Sequence, residues 1–309
     1  MVDLSNKTVV VVGVTGQVAT PLAKTLAKTL AKSARVIGAA RFSNPERKAE
    51  LEAAGIECVS IDLESGDVAS IPSDVDFVVN FAVAKTNDWT RDLDANVGGV
   101  LSLMEQVSGA TAFLHCSSTA VYKPMGHYVF DEDGPLGDNH GVWEFLRTYS
   151  TAKIASEAAV RWAANRHNLP TTIARLSVPY GANGGWPAIH LEMMLNGSEI
   201  PVHVDAPSTY HPIHEDDIAA MVPGLLGAAS TPATTVNWGG STPVSVEEWC
   251  SYLGELTGLR PQFAPTEHTI DSVMVDLTRL HALVGETSVP WREGMAAMVA
   301  ARHPELLSS

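Results

Sequence analysis

Tyr149 and Lys153 stand four residues apart in Tyr149-Ser150-Thr151-Ala152-Lys153, at the head of a segment patterned as a helix to about Asn165. Side chains at i and i+4 share one helix face, so an ammonium can sit beside a phenol. A neighbouring positive charge favours phenolate and draws the tyrosine pKa down toward working pH. Such a tyrosine can give or take a hydroxyl proton while hydride moves at the adjacent carbon. The same pair also describes a plain solvated helix face, so a second feature has to decide. Cys116-Ser117-Ser118-Thr119-Ala120 supplies it, at the end of a buried apolar run. Ligands of open α/β sheets bind at the carboxyl ends of strands. Ser118 there can hydrogen-bond and polarise a substrate oxygen, with Ser117 as the fallback.

These side chains need elements to hold them, and the first half of the chain alternates accordingly. Apolar runs at Thr8–Val12, Ala34–Ala39, Glu57–Ile61, Phe77–Phe81 and Phe113–Cys116 are separated by helix-like intervals. Continuous apolar strands between helices predict a parallel sheet covered on both faces. The fold class is therefore α/β, a doubly wound parallel sheet of the Rossmann type. Leu22 to Lys32 (LAKTLAKTLAK) reads as one amphipathic helix, with Leu22, Leu26 and Leu30 inward and Pro21 near its start.

After about Arg175 the alternation weakens. Gly181–Trp186 and Asp205–Pro212 read as loops and Gly239–Thr242 as a turn. Ser245 with Glu248 three residues on makes a capping box that opens a helix to about Leu256. This predicts a dinucleotide-binding domain over 1–176 plus 211–238. A smaller C-terminal substrate lobe takes 177–210 plus 239–309.

The first strand runs into Gly13-Val14-Thr15-Gly16-Gln17-Val18-Ala19 and then a helix. A glycine-rich turn in that setting brings backbone N–H groups and a helix N-terminus to a pyrophosphate. A tight turn without a ligand is the alternative. The second strand ends in Ala39-Ala40-Arg41, with no acid until Glu46. An acid there would read the ribose hydroxyls of NAD, whereas Arg41 offers a fork for a 2′-phosphate. NADP is the expected cofactor and NAD the alternative, since an exposed arginine can also stack on adenine. Asp62, in Ile61-Asp62-Leu63, can accept from the adenine amino group or cap a turn.

The chain has 309 residues, 45% hydrophobic and 18% charged, which suits a folded globular protein. Its net charge of -15 repels phosphate backbones and anionic lipid, so a small molecule is the expected partner rather than nucleic acid or membrane. No apolar run is long enough to span a bilayer, and the N-terminal run lacks the basic flank of a signal peptide. Cys58, Cys116 and Cys250 form no CxxC, which fits a reducing cytoplasm and no zinc site. His190, His203, His211 and His214 lie close in sequence, but no acid or thiol set completes a metal geometry, so no metal is expected. His211 is instead a candidate substrate contact.

Over nearly its whole length the chain resembles an extended short-chain dehydrogenase/reductase of the NAD-dependent epimerase/dehydratase type. Gly13, Gly16 and Ala19 match that family's TGxxGxxG turn, with Val12 and Ala19 as departures. Asp62-Leu63 matches its adenine-side acid. Asn80-Phe81-Ala82-Val83 resembles the fourth-strand segment that passes under the cofactor, and Asn96 an asparagine that opens the next helix. Ser118, Tyr149 and Lys153 match the catalytic set. Arg175 to Gly181 resembles R-x-x-N-V-Y-G, and Ile213 to Ile218 the V-D-D segment. The resemblance implies a cofactor held by Gly13, Thr15, Gly16, Gln17, Val18, Arg41, Asp62, Leu63, Phe81, Ala82, Val83, Asn96, Tyr149 and Lys153. It also implies a homodimer through the helices starting near Asn96 and Tyr149.

Two departures bear on substrate. Val178 replaces an asparagine, and Tyr210 falls where sugar-nucleotide enzymes carry a diphosphate-binding arginine. Buried diphosphate oxygens without partners are costly. A smaller or more apolar carbonyl or alcohol is thus expected, against Val178, Trp186 and His211. Trp89, Trp143 and Met193 fall in pocket-facing segments of such relatives, with core packing as the alternative for each. The leading expectation is an NAD(P)-dependent oxidoreductase with Tyr149 as acid/base. The alternatives are a nucleotide-sugar epimerase or dehydratase and a non-catalytic cofactor sensor. Thr119-Ala120 after Ser118, in place of Asp-Glu, speaks against dehydration, and retention of both Tyr149 and Lys153 against a sensor.

Overall fold

Val9, Val10, Val11 and Val12 are four apolar residues in a row, and all four are fully buried. Successive strand residues point to opposite faces. Val9 and Val11 therefore enter one apolar cluster, with Leu22, Val79 and Leu114, while Val10 and Val12 enter the other, with Val78, Phe113, Val160 and Ile173. The computed structural model describes residues 2–30 and 34–307. Leu22 and Leu26 are buried as the helical pattern requires, whereas the side chain of Leu30 and all of Lys32 lie outside the described residues.

Seven strands form the central sheet: β1 Thr8–Val12, β2 Arg35–Ala40, β3 Glu57–Ser60, β4 Phe77–Asn80, β5 Ala112–Ser118, β6 Thr171–Leu176 and β7 Thr234–Trp238. Their spatial order is β7-β6-β5-β4-β1-β2-β3, and every neighbouring pair is parallel. The direction of winding reverses beside β1, and that crevice is where such sheets bind ligands. The strands match the sequence expectation within two residues at each end. β5 runs on to Ser118, which becomes its last residue.

The helices are α1 Ala19–Leu30, α2 Pro45–Ala53, α3 Trp89–Leu93, α4 Gly99–Gln106, α5 Tyr149–His167, α6 Trp186–Leu195, α7 Glu215–Gly227, α8 Val246–Thr257, α9 Thr278–Val284 and α10 Trp291–Arg302. A π-helical turn, Asp94–Gly98, joins α3 to α4. The α8 cap forms as read: Ser245 Oγ accepts from Glu248 N at 3.1 Å and Glu248 Oε2 accepts from Ser245 N at 2.9 Å. The two expected loops hold short strands instead. Gly184–Gly185 and Pro212–His214 flank Val178–Gly181 in a three-stranded sheet, and Thr209–Tyr210 pairs with Val244–Ser245. Runs of two or three residues carry no readable period. Outside the central sheet, α6, α8 and α10 pack on one another. Among the described residues no helix is long and apolar enough to cross a membrane.

A buried ion pair fixes α5 on the sheet. Glu157 and Arg175 are 0% and 2% exposed, and Arg175 Nε and Nη2 each donate to the carboxylate at 2.9 Å. Ser117 Oγ and Arg161 Nη2 donate to it as well, both at 2.6 Å. Arg175 Nη1 reaches Tyr122 Oη at 3.0 Å and the Glu132 carbonyl at 2.8 Å. These bonds hold the Glu157 carboxyl below its ordinary pKa although burial pushes the other way.

Candidate active site

A cleft of about 560 Å³ opens at the carboxyl ends of β1, β2, β4 and β5. Gly13, Thr15, Gly16, Gln17, Val18, Ala19, Arg41, Asp62, Leu63, Phe81, Ala82, Val83, Ser118, Tyr149 and Lys153 all line it. The sequence-expected cofactor and acid/base residues thus meet in one place, Asn96 excepted. The volume falls in the range of small-molecule and cofactor sites.

The cradle is backbone. Gly13 takes φ +77°, and its N–H bonds the Ala39 carbonyl at 2.8 Å. A Cβ on Gly13 would stand 2.7 Å from both N and Cα of Ala82, so no other residue fits without moving β4 away from β1. Gly16 N closes the turn on the Gly13 carbonyl at 2.8 Å, and Thr20 Oγ1 ties α1 to the Val14 carbonyl at 2.7 Å. This bare cradle fits a dinucleotide. Gly13→Ala should abolish the rise in melting temperature that added cofactor gives; a full thermal shift in the variant would exclude the cradle.

Around it the predicted residues take distinct parts. Arg41 is exposed at the end of β2 and makes no hydrogen bond or ion pair among the described residues. Asp62 Oδ1 accepts from Glu64 N at 3.1 Å, so the turn-capping alternative is realised in this arrangement. Phe81, Ala82 and Val83 follow Asn80, whose Oδ1 takes Ala82 N at 3.0 Å and whose Nδ2 reaches His115 Nδ1 at 3.3 Å. Burial pushes the His115 imidazole down to about 3, so it is neutral, and its Nε2 meets Ser156 Oγ at 3.1 Å.

Asn96 departs from expectation. The helix already begins at Trp89, capped by Asp88, so Asn96 lies within the π turn. Its amide is spent on backbone: Oδ1 takes Ala84 N at 3.0 Å, and Nδ2 donates to the Ala84 and Asp92 carbonyls at 2.8 and 2.7 Å. It shapes the loop beside the cleft rather than lining it. Asp92, one turn earlier on the same face, was not singled out from the sequence. Its buried carboxylate accepts from Thr86 N at 2.8 Å, Thr86 Oγ1 at 2.9 Å, Asn87 N at 3.1 Å and Thr148 Oγ1 at 2.6 Å. It clamps the loop after β4 to the residue preceding Tyr149. The i, i+4 spacing of Asp92 and Asn96 was the available signal.

Tyr149 opens α5 at the cleft, which Ser118 also lines, its hydroxyl accepting from Ala120 N at 3.1 Å. Burial raises the phenol above its ordinary value of 10.0, against the opposing pull of Ser118 and of the Lys85 charge. Lys153 departs from the sequence expectation. Its buried ammonium donates to the Cys116 carbonyl at 2.8 Å, because β5 offers an acceptor there, and burial leaves the phenol raised rather than lowered. Burial lowers the Lys153 pKa in turn. The tyrosine therefore stands ready as a neutral acid. Ser117 is excluded as the fallback, since its hydroxyl belongs to Glu157.

On the substrate side, Val178 turns into the core, since its strand neighbours Ser177 and Pro179 face the cleft and side chains alternate. His211 is buried, with Nδ1 fastened to the Gly240 carbonyl at 2.9 Å, and does not line the cleft. Trp186 joins an aromatic wall, edge-on to Trp143 at 5.6 Å and to Tyr210 at 5.3 Å. Tyr210 Oη donates to the Asp271 carbonyl at 2.8 Å. Met193 packs against the core, and Trp89 is exposed on α3.

Residues 9–232 match the model of the NAD dependent epimerase/dehydratase family. The chain belongs to this family. It is thereby an extended short-chain dehydrogenase/reductase, an oxidoreductase-type enzyme class. Among curated relatives it is 25% identical to low-salt glycan biosynthesis protein Agl12 of Haloferax volcanii, over 75% of this chain and 77% of that protein. It is 24% identical to dTDP-glucose 4,6-dehydratase of Streptomyces griseus, over 78% and 77%. UDP-glucuronic acid 4-epimerase of Bacillus cereus, solved with NAD, superposes with TM-score 0.79 at 18% identity, over 95% of this chain and 96% of that one. An epimerase of Methanothermobacter thermautotrophicus gives 0.81 at 21%, over 99% and 96%. These structures share the fold over nearly the whole length of the chain.

Proposed function

We propose that this family member transfers hydride between NADP and a small carbonyl or alcohol substrate, with Tyr149 exchanging the substrate's hydroxyl proton. The observation that carries the reading is that Ser118, at the end of β5, and Tyr149, at the head of α5, line one cleft with the Gly13–Ala19 turn. A nicotinamide held there supplies or takes the hydride. Tyr149, kept protonated by burial, donates to a developing alkoxide, and Ser118 orients both oxygens. Lys153 holds Cys116 and adds positive charge below the site. We place the substrate-binding lobe at 177–210 plus 239–309, where Trp186 and Tyr210 present rings instead of a diphosphate-binding cation. The test follows absorbance at the reduced-nicotinamide band. Net loss with a carbonyl substrate supports the reading, and product formed without net change supports epimerisation instead.

The exposed Arg41 at the end of β2, which makes no hydrogen bond among the described residues, supports NADP over NAD, which the solved relatives hold. Arg41→Ala should weaken NADPH binding about 10- to 100-fold, the worth of a charge-assisted phosphate contact, and leave NADH nearly unchanged. Tighter binding of NADH by the unaltered protein, in a fluorescence titration, would sink the assignment. A homodimer through α4 and α5 is supported by Trp162, 58% exposed on α5; light scattering at a monomer mass excludes it. The unpaired thiols of Cys58, Cys116 and Cys250 favour a reducing, cytoplasmic setting.

The raised phenol gives the pH dependence a sign. Reduction uses the protonated phenol, so its rate should stay flat through neutral pH and fall only above the raised Tyr149 pKa. Oxidation uses the phenolate and should climb in that direction. A reduction rate that falls between pH ~6 and ~8 would contradict the burial-raised phenol, because only a group titrating near neutrality could produce it.

A further inference from the structure

The catalytic cleft has a neighbour. Thr86 lines the cleft and also lines a second cavity of about 520 Å³, whose other walls are Asn87, Asp88, Trp89, Thr90 and Arg147. Arg147 precedes Tyr149 by two residues, so the second cavity adjoins the acid/base side of the cleft. One carboxylate holds its two walls together. Asp92 accepts from Thr86 N and Asn87 N on the first wall, and from Thr148 Oγ1, between Arg147 and Tyr149, on the second. Arg147 Nη2 adds a bond across to the Asn87 carbonyl at 3.1 Å. The walls are thus fixed to each other and to Tyr149.

The chemistry of this cavity is an indole and a guanidinium. Trp89 is 44% exposed and offers apolar area to a carbon skeleton. Beyond its bond to Asn87, Arg147 has no hydrogen bond or ion pair among the described residues, and Lys85, which lines the cleft just before Thr86, has none at all. The chain carries 35 acidic against 20 basic side chains, so an acid partner is easily found. Arg35 and Arg91 each grip a glutamate with two bonds. Two cations without an acid, one in each of two adjoining spaces, make a local positive potential that attracts an anion. The acid of the cavity is committed to backbone: Asp88 Oδ1 accepts from Thr90 N at 3.0 Å and from Arg91 N at 3.1 Å. The guanidinium fork matches the two oxygens of a carboxylate.

We infer that Trp89 and Arg147 form a subsite for the far end of the substrate, and that this end is a carboxylate. The substrate class is then a keto acid or the matching hydroxy acid. Its reacting carbon stands at Tyr149, its apolar span lies against Trp89 and its carboxylate rests on Arg147. Lys85 adds positive charge to the approach. The inference rests on the proposed function and narrows it, and it sets the specificity outside the C-terminal lobe.

Levulinate and acetonylacetone test the inference. They share a methyl ketone and a two-carbon span, and differ in whether the far end is a carboxylate or an acetyl group. Each is titrated by calorimetry into the protein saturated with oxidised nicotinamide cofactor, so that binding is read without turnover. The unaltered protein should bind levulinate about tenfold more tightly, the worth of one charge-assisted hydrogen bond at an exposed site. Arg147→Met should bring the ratio toward one, with cofactor affinity unchanged, and Arg147→Lys should keep part of it. Trp89→Ala should weaken both probes together and leave the ratio as it was. No binding of levulinate, no preference in the unaltered protein, or an unchanged ratio in Arg147→Met would each overturn the inference. Tyr149→Phe should keep the binding ratio. If that variant also kept turnover, the proposed function would fail while the carboxylate subsite stood.

Discussion

A Tyr149→Phe enzyme is expected to lose about 10²- to 10⁴-fold in kcat, the usual worth of a positioned proton donor. The change removes one oxygen and leaves the ring that packs on His140 at 5.2 Å, so α5 should keep its place. Cofactor affinity should change little, because the cradle is made by Gly13, Gly16 and the head of α1. A fall in kcat with unchanged cofactor Kd, read by stopped-flow absorbance and fluorescence titration, is the signature. Full turnover in the variant would remove Tyr149 from the chemistry. A parallel loss of cofactor binding would reassign it to the cradle. Ser118→Ala should behave alike with a smaller loss, since Ser118 polarises the substrate oxygen and does not itself supply the proton.

The second large effect is on stability. Arg175→Met should cost about 3–5 kcal/mol in unfolding free energy, because it strands the Glu157 carboxylate beneath the sheet. Arg161 and Ser117 still reach that carboxylate, which sets the expectation at the lower end. The lost bonds to Tyr122 and the Glu132 carbonyl add to the cost. The acid dependence should change with it. Glu157 titrates lower in the folded chain than its ordinary value of 4.5, so it stabilises the fold above that pH. That contribution fades as pH falls through the folded value. The variant should lack this share of acid sensitivity. Replacing both partners, Glu157→Leu with Arg175→Met, should recover part of the loss. Urea unfolding monitored at two pH values measures all of this. A cost below ~1 kcal/mol would mean that the pair is not what holds α5.

The sequence displayed what depends on local pattern. Four valines in a row, a glycine turn and an amphipathic helix announced β1, the cradle and α1. Ser245 with Glu248 announced α8 because a capping box is a contact between near neighbours. What stayed hidden depends on contacts far apart along the chain. Lys153 was read as the partner of Tyr149 from helix spacing, yet the nearest acceptor for its ammonium is a carbonyl of β5, 37 residues earlier. The rank of Val178 in its motif points it at substrate, and strand alternation turns it inward. His211 looked free in a polar stretch until the Gly240 carbonyl engaged it. Asp92 was one acid among many until its four donors came together.

The order β7-β6-β5-β4-β1-β2-β3 also governs how the molecule can be born. β1 emerges before the other six strands and ends in the middle. β2 and then β3 attach outward on one side, and β4, β5, β6 and β7 follow in turn on the other. Every arriving strand meets an edge already waiting for it, and none has to wedge between two that are paired. Growth by accretion suits vectorial synthesis, in which early parts fold before late ones exist. It carries a liability too, since until β7 arrives at Thr234 each nascent intermediate displays an unpaired apolar edge. Chains stalled before that strand are thus the natural clients of a holding chaperone.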